Sequence, residues 1–539
     1  MIIRPTMMTD WLPEIVLTIV ALLCLILGPF QVRRSWFYTL ALVGMVAGVA
    51  LFYLQQGFLV SSKDMLAVFG RGLAFSVGLI LVLTAGSSGQ ESEHEGERLG
   101  SLLLGIVGLA LVARAEDLVL LFVGLELISV ASYILLYVDR EGPNYREAAT
   151  KYFYLSVLSS AVFLYGLSFV YGLAGTLSLR ELMHAGAQGV FAGVIGAIPV
   201  VLVLAGIGFK IAAVPFHFYA PDVYQGTSHR NAALLSALPK AAGMLVLVRL
   251  LLEGMFGGPD RAWQVVLALS VLTMTLGNVL ALWQTNLRRL LAYSSIAHAG
   301  YMLIGLTVAM TYATPQGHPW DGAAALLFYL IVYLLATLGA FAVLGTLRLG
   351  DRPVETLDDL RGLAYAPHMD LRLLAWSLAI FMLSLAGIPP LAGFWGKLAV
   401  FFSALDVGGV PGGGPARSRL VFLAVVGAVN AAIAAAYYLR VVGTMFFATA
   451  PGETAGQEGR TLQLRQGALP AMFAVALCAI MTVLIGIAPG RWIEHARRAS
   501  PTLRGPQRSM KLATMEGTLW EMSEPVASPL SPVSQDASE

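Results

Sequence analysis

Four of the chain's six lysines, Lys151, Lys210, Lys240 and Lys397, sit inside stretches apolar enough to span a membrane; only Lys63 and Lys511 lie outside them. The remaining basic charge rests on 28 arginines, so the composition gives no reason to place lysine in hydrocarbon. A cation at the centre of a membrane helix costs roughly 2.5–3.5 kcal/mol on insertion scales. What separates the two side chains is chemistry: a guanidinium stays charged, whereas a buried amine can give up its proton and take it back. Glu126 adds a carboxylate midway along Leu120-Leu-Phe-Val-Gly-Leu-Glu-Leu-Ile-Ser129. Left without a partner it would simply protonate, and lysines are available to pair with it. Amines and a carboxylate at membrane depth are the parts of a proton-transfer chain.

Their spacing points the same way. In Gly208-Phe-Lys-Ile-Ala-Ala-Val-Pro-Phe-His217, Lys210 and His217 are seven residues apart and would share one face of a continuous helix. Pro215 stands between them and predicts a break there, since proline removes a helix hydrogen bond and clashes with the preceding turn. Gly387-Ile-Pro-Pro-Leu-Ala-Gly-Phe-Trp-Gly-Lys397 repeats the design, with a lysine seven residues past Pro390, and Lys240 follows Pro239. Broken backbone at membrane depth is tolerated only where protein or a wet cavity receives it. The competing reading of a buried lysine is a structural ion pair or a side chain snorkelling from a helix end, and Lys151, near the start of its span, suits the latter. His217 and His298 could equally be hydrogen-bonded core residues. Glu14, after Pro13 at the start of the first span, reads as interfacial, and Asp222 as a cap or an ion-pair partner.

The elements that must position these groups are membrane helices. The 539 residues are 57% hydrophobic and 12% charged, with a mean hydropathy of +0.75. Apolar windows recur near 11–30, 35–54, 66–86, 100–115, 117–137, 148–172, 197–219, 230–252, 262–283, 289–311, 322–346, 371–403, 418–447 and 469–489. The fold expected is therefore an all-α polytopic membrane protein of about fourteen spans, with both termini on one side. Loops after odd-numbered spans hold more arginine, among them Arg33, Arg34, Arg98, Arg140, Arg146, Arg230, Arg288 and Arg289, which places those loops in the cytoplasm. Ser178–Gln188 reads as an interfacial amphipathic piece, Gln90–Glu97 as an acidic loop, and Gly408–Gly414 as a linker. The first span reads as retained rather than as a cleaved signal.

Glu147-Ala-Ala-Thr-Lys-Tyr-Phe-Tyr-Leu155 matches Gly322-Ala-Ala-Ala-Leu-Leu-Phe-Tyr-Leu330 at an offset of 175 residues, which also lays Pro215 on Pro390. Spans four to eight and nine to thirteen would then be two inverted five-helix repeats, each with a broken helix, in spans seven and twelve. This divides the chain into a three-helix segment (1–99), a first repeat (100–255), a second repeat (256–447), a C-terminal helix (448–499) and a disordered tail (500–539).

Several chemistries find no site. Gly396-Lys397 lacks the flanking Gly and Ser/Thr of a phosphate loop, because Leu391 and Leu398 stand there. The eight histidines show no metal-ligand spacing. Cys24 and Cys478 stand alone in apolar runs. A net charge of +2 leaves no nucleic-acid footprint.

Three runs carry a resemblance. Phe209-Lys-Ile-Ala-Ala-Val-Pro-Phe-His-Phe-Tyr-Ala-Pro-Asp-Val-Tyr224, Leu290-Leu-Ala-Tyr-Ser-Ser-Ile-Ala-His-Ala-Gly-Tyr301 and Leu385-Ala-Gly-Ile-Pro-Pro-Leu-Ala-Gly-Phe394 resemble the antiporter-like, proton-translocating membrane subunits of bacterial NADH-quinone oxidoreductase (respiratory complex I), in particular the subunit N branch. The likeness covers roughly residues 10–490. It implies that Glu126 is the family's span-five glutamate and Lys210 the lysine paired with it. It implies further that Lys240 is the span-eight lysine leading to the centre and Lys397 the terminal lysine of a second half-channel; Lys151 and His217 also fall on family positions, while His298 is a candidate lying within the second run. One departure stands out: after Tyr224 the family usually carries Pro-Thr-Pro, whereas this chain reads Gln225-Gly-Thr-Ser-His-Arg-Asn-Ala232, which bears on how span eight begins.

The resemblance implies proton pumping driven by electron transfer in partner subunits. No cofactor or metal is expected on this chain, with NADH, FMN, iron–sulfur clusters and quinone on the partners. Those partners would be neighbouring antiporter-like and small membrane subunits in a bacterial inner membrane, the lipid bilayer surrounds the chain, and no nucleic acid is involved. The alternatives are a subunit of a multisubunit sodium/proton antiporter or of a membrane-bound hydrogenase. A purely structural scaffold would not need titratable lysines at the midplane.

Overall fold

A computed structural model describes residues 10–30, 33–58, 64–86, 94–138, 143–254, 262–311, 321–406, 415–448 and 462–500. The proposed tail beyond Ser500, the Gly408–Gly414 linker, Lys63, Arg140 and residues 90–93 of the acidic loop lie outside these residues, while the rest of that loop is not irregular: a helix begins at Glu95. Lipid offers the backbone no hydrogen bonds, so apolar stretches of this length satisfy their N–H and C=O groups internally, as helices. Fourteen helices among the described residues are long and apolar enough to cross a membrane. In chain order they begin with α1 (Leu12–Leu27), α2 (Arg34–Phe58), α3 (Met65–Ala85), α4 (Glu95–Arg114), α5 (Leu118–Val138) and α6 (Pro143–Ala174). A short amphipathic helix, α7 (Leu179–Ala187), matches the piece expected at Ser178–Gln188.

Span seven is broken, as its proline predicts. Helix α8 (Gly193–Lys210) stops at Lys210, the chain turns through Ile211–Phe218, and α9 (Tyr219–Gln225) follows. Ala212 takes a left-handed conformation (φ 56°) and Ala213 N–H closes the turn on Gly208 O at 2.7 Å. This corrects one expectation: the helix ends before His217, so Lys210 and His217 do not share a helical face. Pro199, by contrast, is accommodated inside α8.

Span eight, α10 (His229–Leu247), continues unbroken through Pro239 into a π-helical segment, Val248–Gly254. Lys240 is therefore not beside a break. All residues of α10 except Arg230 are buried, so neighbouring helices enclose the backbone that proline leaves short of a donor. Ahead of that helix, in the segment Gln225–Ala232, Ser228 serves as the N-cap, its Oγ accepting from Asn231 N–H at 3.3 Å.

The chain continues through α11 (Ala262–Ala281), α12 (Leu287–Thr311) and α13 (Gly322–Thr346). Helices α10, α12 and α13 form the buried centre. Helix α11 presses close to α12 because glycine faces it: a Cβ on Gly277 would lie 2.7 Å from Ala297 N, and one on Gly300 2.5 Å from Met274 N. Span twelve is two helices, α14 (Met369–Ala386) and α15 (Ala392–Leu405), separated by Gly387–Leu391 with its two prolines. Gly387 adopts φ 88°, a left-handed conformation open to glycine at little steric cost. Helices α16 (Pro415–Phe447), α17 (Leu469–Ile487) and the amphipathic α18 (Gly490–Ala499) complete the described helices. Lys397 lies on the segment after its break, as Asp222 does after the break in span seven.

A small antiparallel sheet, ordered β2 (Arg352–Pro353), β1 (Leu347–Leu349), β3 (Leu462–Leu464), ties a loop to the helix ends. In that loop Asp359 accepts from Arg352 at 2.6 and 3.0 Å and from the backbone of Glu355 and Thr356 at 2.9 Å each. Burial alone would raise its pKa, but these donors outweigh burial and bring it below the ordinary carboxylate value. A depressed carboxylate contributes stability above its unfolded pKa and loses it as pH falls through the folded one. The Asp359→Asn variant should accordingly melt at a lower temperature than the parent at neutral pH, with the gap closing on acidification. A gap that widened in acid would contradict this.

Candidate functional site

The first cluster forms where α5, α6 and α8 meet. Lys210, the last residue of α8, brings Nζ to 3.8 Å from Oε1 of Glu126. Seryl hydroxyls fill the space between. Lys210 Nζ donates to Ser129 Oγ at 2.6 Å and to Ser156 and Ser160 Oγ at 3.3 Å each, while Ser160 donates its own proton to Glu126 Oε1. Ser160 thus bridges amine and carboxylate, offering a proton a path that direct contact does not. The Lys210 side chain is 5% exposed and that of Glu126 29%, so the carboxylate is the end of the cluster open to the surface of the isolated chain. Removing the bridge should be felt. The Ser160→Ala variant leaves a buried polar site unmatched, at about 1–3 kcal/mol, and should slow proton uptake measurably while Ser168→Ala, an exposed helix position, should not.

Helix α10 passes alongside this cluster; a Cβ on Gly243 would lie 3.6 Å from Lys210 Cβ. Three residues earlier on α10, Lys240 begins a second cluster. Its Nζ donates to the carbonyl and hydroxyl of Ser295 on α12 and lies 5.0 Å from the centre of the Tyr333 ring on α13. Ser295 Oγ and Tyr333 Oη are 2.7 Å apart, and Tyr333 donates on to Ser236 O at 3.1 Å. His298, one turn along α12 from Ser295, has Nδ1 2.7 Å from Tyr329 Oη and Nε2 2.9 Å from Tyr438 Oη. Tyr438 also bonds Ser294 Oγ. His298 is therefore held by two tyrosines from α13 and α16, with its ring 5.3 Å from that of Tyr333.

Lys397 ends the row. Its Nζ donates to Ala386 O, at the end of α14, at 2.8 Å, and lies 5.1 Å from the centre of the Tyr301 ring. Lys240 and Lys397 are both almost fully buried. No carboxylate among the described residues pairs with either, in contrast to Lys210.

Glu126, Lys210, Lys240, His298 and Lys397 are thus gathered into one interior row. Lys151 is not. Its side chain is 41% exposed and pairs with Glu147 at 2.7 Å and Asp222 at 3.1 Å, and Asp222 also takes Arg289 at 2.7 Å. His217 sits half-buried in the turn of span seven, and no hydrogen bond, ion pair or ring contact among the described residues joins it to the row. Glu14, in the first turn of α1, is buried and holds Arg71 through two bonds of 2.6 and 3.0 Å, a structural clasp between α1 and α3.

The hydroxyls of Ser129, Ser156, Ser160 and Ser295 and the tyrosines 301, 329, 333 and 438 escaped sequence reasoning. The one available signal was a run of polar residues in the middle of apolar spans, such as Tyr293-Ser-Ser-Ile-Ala-His298. Among the described residues no group of three or more His, Cys, Asp or Glu could hold a metal. The arrangement can hold, orient and relay protons.

Residues 115–411 match the family model described as NADH:quinone oxidoreductase/Mrp antiporter, transmembrane. The chain is 35% identical over 483 residues to NADH-quinone oxidoreductase subunit N of Rhodospirillum rubrum, a match covering 86% of this chain and 93% of that protein. Among solved structures it resembles a chain of respiratory complex I from Thermus thermophilus, with a TM-score of 0.70 and 32% identity, covering 89% of this chain and 98% of the other. It also resembles a chain of the Mrp complex from Dietzia sp. DQ12-45-1b, with a TM-score of 0.74 and 19% identity, covering 93% and 98%. At that identity the second likeness shows a shared fold.

Proposed function

From the premise that the chain belongs to the NADH:quinone oxidoreductase/Mrp antiporter family of membrane subunits, we infer that it is the subunit N type of proton-translocating subunit in a bacterial NADH-quinone oxidoreductase. It is a multi-pass protein of the inner membrane and part of a larger enzyme. The observation that carries the residue-level reading is the interior row, in which one carboxylate-paired lysine is followed by two lysines that have no carboxylate partner among the described residues. Four roles follow. Glu126 is the input, since it alone in the row reaches the chain's surface, where a charge on a neighbouring membrane subunit can act on it. Lys210 responds, because any change at Glu126 alters the proton affinity of the amine it pairs with. Lys240 and His298 carry the proton across the centre through Ser295 and the tyrosine hydroxyls. Lys397 releases it through the second half-channel, next to the broken helix that lets water and free carbonyls line the way.

Flavin, iron–sulfur clusters, NADH and quinone belong to partner subunits, and electron transfer there supplies the electrostatic change. Relatives that work as sodium/proton antiporters share the fold, so assembly is the test. A complex purified by a tag on this chain should contain flavin and iron–sulfur clusters and oxidise NADH with a quinone acceptor. A complex that exchanges sodium for protons without any such cofactor would overturn the reading.

A further inference from the structure

Among the described residues Lys397 has no carboxylate beside it, and the groups its amine meets are neutral: the Ala386 carbonyl and the face of the Tyr301 ring. A ring face attracts a cation through its quadrupole, most strongly where water is excluded. That attraction depends on orientation, and the Tyr301 hydroxyl is tethered. Tyr301 Oη accepts from Asn278 Nδ2 at 3.0 Å. Asn278 is itself fixed: its Oδ1 accepts from Tyr437 at 3.0 Å, and its Nδ2 lies 3.2 Å from Asn430 Oδ1. Asn430 donates in turn to Thr275 Oγ1 at 3.2 Å and Val426 O at 3.0 Å. Asn278 and Asn430 are 0% and 3% exposed, in the region where Gly277 lets α11 approach α12. Around the Tyr301 ring stand His298 at 5.9 Å, Tyr329 at 6.3 Å and Phe401 at 6.3 Å between ring centres.

We propose that Asn278 is a positioning residue for proton transfer at Lys397: through the Tyr301 hydroxyl it holds the ring face toward the amine, where that face does the work of a counter-charge. This rests on the reading of Lys397 as a member of the proton-carrying row. It gives Tyr301 and Asn278 a role in coupling, whereas a packing role alone would affect only how much complex assembles.

The test uses the assembled enzyme in inverted membrane vesicles, reading protons taken up per NADH oxidised, normalised to assembled complex. The Tyr301→Leu variant, which removes the ring, should lower this ratio by at least about twofold. The Tyr301→Phe variant keeps the ring and loses only its anchor, so it should fall between Tyr301→Leu and the parent. The Asn278→Leu variant should match Tyr301→Phe, and combining the two should lower the ratio no further, because both cut one link. Should Asn278→Leu fail to assemble, Tyr301→Phe removes the same hydrogen bond at nearly unchanged volume. A parental ratio in Tyr301→Leu, or additive losses in the double variant, would overturn the proposal. Lys397→Ala is measured alongside. If it pumps normally, the reading of the row falls and the proposal with it; if it is deficient while Tyr301→Leu is normal, the positioning role alone falls.

Discussion

In vesicles energised by NADH, the Glu126→Ala variant should lose most proton uptake while the complex remains assembled. The pair with Lys210 is the only carboxylate–lysine contact among the described members of the row, and Lys210 is 5% exposed. Removing one partner of a buried pair costs about 3–5 kcal/mol, because the other charge is left uncompensated. Three seryl hydroxyls still receive the amine, which places the expected cost toward the lower end and lets the protein fold. What those hydroxyls cannot replace is a group that changes charge. The variant therefore keeps its structure and loses the input of the relay. Normal proton uptake in assembled Glu126→Ala membranes would remove Glu126 from the mechanism.

The second large effect separates charge from proton exchange. Arginine at 240 or 397 preserves a cation but cannot release its proton at accessible pH. It also demands more room and more acceptors than the sites hold, since Lys240 meets Ser295 and Lys397 meets the Ala386 carbonyl. Lys240→Arg and Lys397→Arg should each depress proton uptake severely even where assembly is retained. Undiminished uptake in assembled Lys397→Arg would mean that the residue acts as a fixed charge.

Much of this architecture can be read from the chain because hydrocarbon leaves the backbone so few options. Long apolar windows locate all fourteen helices that, among the described residues, are long and apolar enough to cross a membrane. The breaks were legible where proline met a residue able to reverse the backbone: Gly387 ahead of Pro389 and Pro390, and the turn around Ala212 ahead of Pro215. Pro239 and Pro199 show the limit of that rule, since an isolated proline is absorbed when helices enclose it. Ion pairs depend on distant helices, so sequence could offer Lys151 and Asp222 only as alternatives; their meeting at the surface, with Glu147 and Arg289, follows from packing. The tyrosines were illegible for a similar reason. A hydropathy pattern counts Tyr329, Tyr333 and Tyr438 as apolar filler, while their hydroxyls find partners as far off as residue 298 from residue 438.

The break in span twelve has a consequence beyond admitting water. A helix gathers about half a negative charge at its carboxyl end, and α14 ends at Ala386, whose carbonyl takes the Lys397 amine. The negative potential that no carboxylate provides thus comes from the peptide dipoles of the preceding helix as well as from the Tyr301 ring face, and no protonation can neutralise it. The dipoles' share exists only while the helix stops there. Gly387 is what lets it stop: at φ 88° a side chain is disfavoured, and a Cβ would lie 2.8 Å from Lys397 Cδ. The lysine could therefore be silenced without altering any ionisable group, by one methyl added to a glycine.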